Sequence, residues 1–264
     1  GNERHGKFLI EAVENQNINS DGIILDDNVF TTLAFVNLTK DGERSFAFAR
    51  KPGADTMIGY KEVDTELLQN TKVFHVGSLS LTDEPARSTT FQAVKCAKNA
   101  GAVISYDPNY RAPLWNNEKT AIERMRSMLP FADMIKLSDE ETALLTPYEN
   151  PDEAANYLLD HGIKIVAVTL GKEGVLICNR KDHQKVSGFS SQVVDTTGAG
   201  DSFWGGFMSQ FVKSKLNPED CSIEELKKFA RYGNAVASLC IEKKGGILSI
   251  PEEKETFKRL QLSV

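Results

Sequence analysis

Seven consecutive residues, Asp195-Thr196-Thr197-Gly198-Ala199-Gly200-Asp201, set a glycine turn between two carboxylates. They follow the β-rich run Gln192-Val193-Val194 and lead into a helix-type stretch with Phe203, Gly205, Gly206 and Phe207 at its start. A strand feeding a glycine turn feeding a helix leaves backbone N–H groups without intrahelical acceptors, with the positive end of the helix dipole behind them. Such a place binds anions, phosphate above all. A carboxylate at its rim is repelled by bound phosphate unless it has a task there. The task open to Asp201 is to take a proton from an attacking hydroxyl. Two plainer explanations stand beside this one: Asp in a first helical turn complements the dipole, and glycines permit tight packing.

Other residue groups sit where apolar runs end. Thr169-Leu170-Gly171-Lys172-Glu173-Gly174 closes one such run and reads by itself as a turn into the strand 175–178. Asp107-Pro108-Asn109-Tyr110-Arg111 closes another, with a guanidinium suited to phosphate. Lys136-Leu137-Ser138-Asp139-Glu140-Glu141 is an acidic cluster of the kind common at helix starts.

The elements that must position these groups follow from periodicity. Short apolar strands are expected at 73–76, 102–106, 133–137 and 164–170. Between and after them come helices at 84–100 and 118–129 and two helical stretches ending near His161. Asp83 is the expected N-cap of the first of these helices, Phe91, Val94 and Ala97 its apolar face, and Gly101 its stop. Strands that are apolar without alternation belong to a sheet covered on both faces. The order βαβα predicts a doubly wound, mostly parallel sheet flanked by helices, an α/β fold that binds ligands at the carboxyl ends of its strands. Residues 32–38 and 44–50 differ. They flank Asp41-Gly42 and predict a β-hairpin, with Leu33 and Phe35 on one face of the first strand and Phe46, Phe48 and Arg50 on one face of the second. This ribbon, about 31–50, can cover a core edge, close over a small-molecule cleft as a lid, or contact a second subunit.

The 264 residues carry a formal charge of −6, which excludes a nucleic-acid or membrane surface as the main partner. The chain has no run of about eighteen apolar residues. Four cysteines and four histidines form no CxxC, HExxH or other clustered pattern, so disulfides and structural zinc are not expected and a reducing cytoplasm is. One domain, 1–264, is the expected organisation.

With the seven-residue string, the βαβα order and the early ribbon taken together, the chain resembles the ribokinase-like family of carbohydrate kinases, most closely its bacterial fructokinase branch. The resemblance implies ATP-dependent phosphorylation of a sugar hydroxyl, D-fructose to fructose 6-phosphate in that branch. Asp201 matches the family's general base, and the amides of Gly198, Ala199 and Gly200 match its anion hole. Arg111, Thr169, Gly171, Gly174 and Asn234 match nucleotide-contacting positions, and Arg50, with Asp201, falls among substrate-binding ones. Glu141 matches a residue that organises Mg2+ through water, with Ser138 where Asn is commoner. Asp195, Thr197, Gly245 and Ser249 match a monovalent-cation site, which would hold K+ beside the anion hole. The partners implied are ATP and a small sugar, with a homodimer through the ribbon. Related kinases acting on ribose, ketodeoxygluconate or an aminoimidazole riboside share many of these features, as does a non-catalytic nucleotide-binding relative. The family's first strands, with a sugar-holding Asp and a glycine pair, have no counterpart before Gly1-Asn2-Glu3, so this polypeptide is expected to lack most of the sugar half of the site.

Overall fold

The computed structural model describes residues 1–38 and 44–261. The expected Asp41-Gly42 turn and the side chain of Phe46 lie outside the described residues. Two compact units divide the chain: Gly1–Ile104 with Pro108–Phe131, and Ser105–Asp107 with Ala132–Val264.

In the first unit, helix α1 spans Arg4–Glu14, with the Glu3 carboxylate accepting from the Gly6 amide at 3.2 Å. Strands β1 (Leu33–Leu38) and β2 (Arg44–Ala49) pair antiparallel, Leu33 opposite Ala49 and Phe35 opposite Ala47. Directly paired residues share a face. The register therefore puts Phe48 with Ala34, on the face opposite to Leu33 and Phe35. Aromatic side chains thus mark both faces of the ribbon, and Phe35 is exposed. Arg50, just beyond β2, is braced internally: its guanidinium donates to Asp55 at 2.5 and 2.8 Å, to Thr82 Oγ1 at 2.8 Å and to the Leu79 carbonyl at 2.9 Å.

Helix α2 (Thr65–Asn70) is capped by Asp64 and leads to strand β3 (Val73–Gly77). Helix α3 runs Ala86–Asn99, not from Glu84, and Asp83 does not cap it. Pro85 occupies the cap position, and the Glu84 carboxylate serves the first turn by accepting from the Ser88 amide at 3.0 Å. Val94 and Ala97 are buried as the periodicity requires, and Gly101 follows the helix at φ +91°. Strand β4 (Val103–Asp107) carries the boundary between the units, and helix α4 (Glu118–Met128) is capped by Asn117.

The second unit holds strand β5 (Met134–Ser138), the short helix α5 (Thr142–Leu145), helix α6 (Pro151–Asp160) and strands β6 (Ile165–Thr169), β7 (Val175–Cys178) and β8 (His183–Val186). Sheet order follows the sequence, β3-β4-β5-β6-β7-β8. The pairs β4–β5 and β5–β6 are parallel, whereas β6–β7 and β7–β8 are antiparallel, so the sheet is mixed. The short turn at 170–174 leaves no room for a crossover, so β7 must run back along β6. The central strands are mostly apolar and buried, with Ser105, Asp107 and Lys136 the polar residues buried among them.

Three more helices follow, α7 (Ala199–Ser214), α8 (Ile223–Cys240) and α9 (Glu253–Gln261). α7 and α8 cross at two glycines: a Cβ on Gly206 would sit 3.1 Å from the Gly233 Cα, and one on Gly233 would meet the Phe203 carbonyl at 2.6 Å. Trp204 stacks on Phe207, and its indole N–H donates to Ser105 Oγ at 2.8 Å, which fastens α7 to β4. The β-rich run at 192–194 forms no strand. Val193 and Val194 are exposed, with no sheet neighbour to bury them, and the amides of Val194 and Asp195 both donate to the Ile241 carbonyl beyond α8. Among the described residues no helix is long and apolar enough to cross a membrane.

Candidate active site

The glycine turn leads directly into the first turn of α7. Gly198 is the N-cap of α7 with φ +79°, a left-handed conformation that a side chain would strain. Ala199, Gly200 and Asp201 form the first turn behind it. The Ala199 amide closes a turn onto the Thr196 carbonyl at 3.2 Å. Gly198 and Gly200 donate to no protein acceptor among the described residues, which leaves two N–H groups at the positive end of the helix. Asp201 is solvent-exposed at the third helical position. A carboxylate and open amides therefore share one turn, with Trp204 anchoring the helix three residues on.

Under this turn lies a buried pair that sequence reasoning did not single out. Asp107, at the end of β4, is 3 % exposed, and Lys136, on β5, is 5 % exposed. The ammonium donates to Asp107 Oδ2 at 2.8 Å. A Cβ built on Gly200 would lie 2.9 Å from Lys136 Nζ, so the ammonium rests against the backbone of the glycine turn. Burial pushes the Asp107 carboxyl up to about 6, against the opposing pull of Lys136, and the nearby charges of Glu141 and Asp201 push it further in the same direction. The Glu141 and Asp201 carboxylates thus lie near enough to Asp107 to act on its charge, and Lys136 is paired with it directly. The signal was present in the sequence: a lysine inside the apolar run Met134-Ile135-Lys136-Leu137 is a charge in a strand that must be buried.

Glu141 is nearly buried and accepts from the Ser138 amide at 2.8 Å, completing a capping box. The helix-start role and proximity to Asp107 coexist in this one residue. Among the described residues no group of three or more His, Cys, Asp or Glu side chains has metal-binding geometry. A divalent ion held largely by water and phosphate oxygens requires no such group, and the excess of carboxylates over ammonium suits a cation.

The four residues matched to a monovalent-cation loop are brought together. Asp195 accepts from the Thr197 amide at 2.9 Å and, through its other oxygen, from the Gly245 amide at 3.3 Å. Ser249 is fully buried, and its hydroxyl lies 2.6 and 2.7 Å from the Gly245 and Gly246 carbonyls, with one proton to share between them. Carboxylate and carbonyl oxygens of this kind are hard ligands that suit an alkali cation.

The nucleotide-matched residues divide. Thr169 ends β6, with Oγ1 3.4 Å from the Leu137 carbonyl, and Gly171 is open on its Cβ side. Gly174 is a packing glycine, since a Cβ there would lie 2.1 Å from the Val186 carbonyl. Asn234 is buried, and its amide donates to the Val186 and Ser187 carbonyls at 3.0 and 3.1 Å, holding the exit of β8. Arg50 and Arg111 belong to the first unit. The Arg50 side chain is 4 % exposed with its donors committed as described above, so it frames the loop after β2. Arg111 is half-buried and donates to the Tyr110 carbonyl at 2.9 Å.

The family model of pfkB carbohydrate kinases matches residues 1–253. The chain belongs to this family. It is 38 % identical to probable fructokinase-5 of Arabidopsis thaliana over 99 % of its own length and 80 % of the relative's. Fructokinase-2 of Solanum lycopersicum is also 38 % identical, with 99 % and 79 % covered. Among solved structures, a fructokinase of Xylella fastidiosa with bound ATP superposes with a TM-score of 0.91 at 29 % identity, covering 99 % of this chain and 83 % of that one. A fructokinase of Vibrio cholerae O395 with fructose, ADP and calcium bound gives 0.89 at 28 %, covering 98 % and 83 %. The pfkB chain described here is accordingly a sugar kinase with the ribokinase-like fold.

Proposed function

We propose that this protein transfers the γ-phosphoryl group of ATP to a hydroxyl of D-fructose, giving fructose 6-phosphate and ADP, with Asp201 as the general base. The observation that carries this reading is the exposed Asp201 carboxylate one residue beyond the open Gly200 amide, at the start of a helix held rigidly to the sheet. In the reaction the sugar O–H loses its proton to Asp201 as a new O–P bond forms and the bond from phosphorus to the ADP oxygen breaks. Phosphoryl transfer needs alignment and neutralisation of charge more than covalent help. The amides of the turn provide the second through oriented dipoles.

Magnesium, when bound with the nucleotide, neutralises phosphate charge. Glu141 would hold it through water, in the carboxylate-rich corner shared with Asp107 and Asp201. Asp195, Thr197, Gly245 and Ser249 would hold K+, ordering the glycine turn without touching substrate. Thr169, Gly171 and Arg111 are assigned to the nucleotide, while Gly174 and Asn234 shape its surroundings through packing. The ribbon serves as a lid, and Phe35 on its exposed face suits contact with a second copy of the chain. The fructokinases among its relatives support fructose as the acceptor.

A coupled assay of ADP release tests both halves of the proposal. Fructose is expected to give the highest kcat/KM in a panel with ribose, ketodeoxygluconate and an aminoimidazole riboside; another winner displaces fructose but not the kinase. Asp201→Asn is expected to lower kcat by about a hundredfold or more while leaving ATP binding nearly unchanged. A variant that keeps more than a few per cent of turnover removes Asp201 as the base.

A further inference from the structure

The buried ion pair behind the glycine turn has chemistry that the reading above does not use. Replacing such pairs by apolar residues is often neutral or stabilising, so Asp107–Lys136 is poorly explained as a stabilising contact. Lys136 is also only partly satisfied. An ammonium has three donors, and among the described residues Asp107 is its one hydrogen-bond acceptor. The side chain is 7 % exposed, so two N–H groups are withdrawn from most of the solvent without a protein partner. The direction in which they are withheld is informative, because Nζ abuts the Gly200 backbone, whose own amide is open.

We infer that Lys136 is a phosphate-binding residue: held in place by Asp107, its ammonium donates to a phosphoryl oxygen of the bound nucleotide at the Gly198–Gly200 turn. This rests on the reading of that turn as an anion hole. Asp107 is then a positioning residue. It fixes the ammonium through one N–H and leaves the other two for the ligand. A lysine suits the place because it is a compact point charge, whereas the broad fork of an arginine would not fit against the Gly200 backbone. The arrangement also places a positive side chain in a corner where Asp107, Glu141 and Asp201 would otherwise repel an incoming phosphate.

Calorimetric titration with two probes isolates the contact: ADP, and the β,γ-methylene analogue of ATP, each with magnesium. The double variant Lys136→Met/Asp107→Asn removes both charges and is expected to melt cooperatively. Its affinity for ADP should stay within about threefold of wild type, with at least a tenfold loss for the ATP analogue and a fall in kcat of about a hundredfold. Lys136→Arg, which keeps the charge and loses the shape, is expected to show the same selective loss, and it decides the matter if the double variant does not fold. Unchanged analogue affinity and kcat within threefold of wild type in either folded variant would overturn the assignment and leave the pair structural. A wild-type protein that binds the analogue but phosphorylates no sugar would instead sink the kinase reading, with the lysine contact still decided by binding alone.

Discussion

A proton on Asp107 is the most sensitive single feature of the site. The carboxyl is pushed up to about 6 by burial, whereas an unfolded aspartate titrates near 4. Between those values the native protein holds a proton that the unfolded chain has released, so this group's contribution to stability falls as pH rises from about 4 to 6 and is constant above. Wild-type stability relative to Asp107→Asn is therefore expected to fall across that window, by up to about 3 kcal/mol, in urea titrations at half-unit steps. A difference that stays flat, or grows with pH, would contradict a carboxyl that is neutral in the native state at pH 5. At this scale the sequence was legible where chemistry leaves a short string: the turn from Asp195 to Asp201 folds as its residue types require. It was less legible for Asp107 and Lys136, which meet across β4 and β5 from positions 29 apart. Their significance lies in burial, which only a sheet covered on both sides creates. Arg50 shows the opposite case, a cation whose partners Asp55, Leu79 and Thr82 could not be read from its neighbours along the chain.

Helix α7 carries Asp201 and is set by its glycines, which sort into distinct roles. Gly205 has open space where a Cβ would go, Gly206 is in close contact with Val236 and Gly233, and Gly233 abuts the Phe203 carbonyl. Gly233→Ala is expected to destabilise by about 1–3 kcal/mol through overpacking, lowering the melting temperature by several degrees. Gly205→Ala, in an exposed helix interior, is expected to stabilise by about 0.5–1 kcal/mol. Thermal melts followed by circular dichroism separate the two, and equal effects would dismiss the close crossing of α7 and α8. Helices and central strands were readable because their periods and apolar runs agree with local propensity. The run 192–194 misled because valine favours strands only where a neighbour buries it, and here the backbone donors go to Ile241 instead. The cap of α3 misled for a related reason: Asp83 is an excellent capping type, but Pro85 sits at the boundary and Glu84 reaches the first-turn amide.

Taken whole, the chain keeps its four thiols unpaired, three buried and Cys96 half-buried. Burial pushes the Cys221 thiol up to about 12 and raises that of Cys178 as well, so neither forms a reactive thiolate at neutral pH. Titration with a chromogenic disulfide reagent is expected to modify about one thiol per chain rapidly in native buffer and all four in denaturant. Rapid native reaction of three or four would show that the second unit opens far more readily than its packing implies. The switch between the two units at Ile104–Ser105 falls inside strand β4 and again just after it. No linker or shift in composition marks it, because contacts across a sheet, rather than residue types along it, decide such a boundary. Trp204 adds a practical consequence. It is one of two tryptophans in the chain, three residues from Asp201, sealed from water and fastened to Ser105. Helix α7 thus carries its own fluorophore, and any ligand that displaces its start will announce itself as a change in emission colour without a label having been attached.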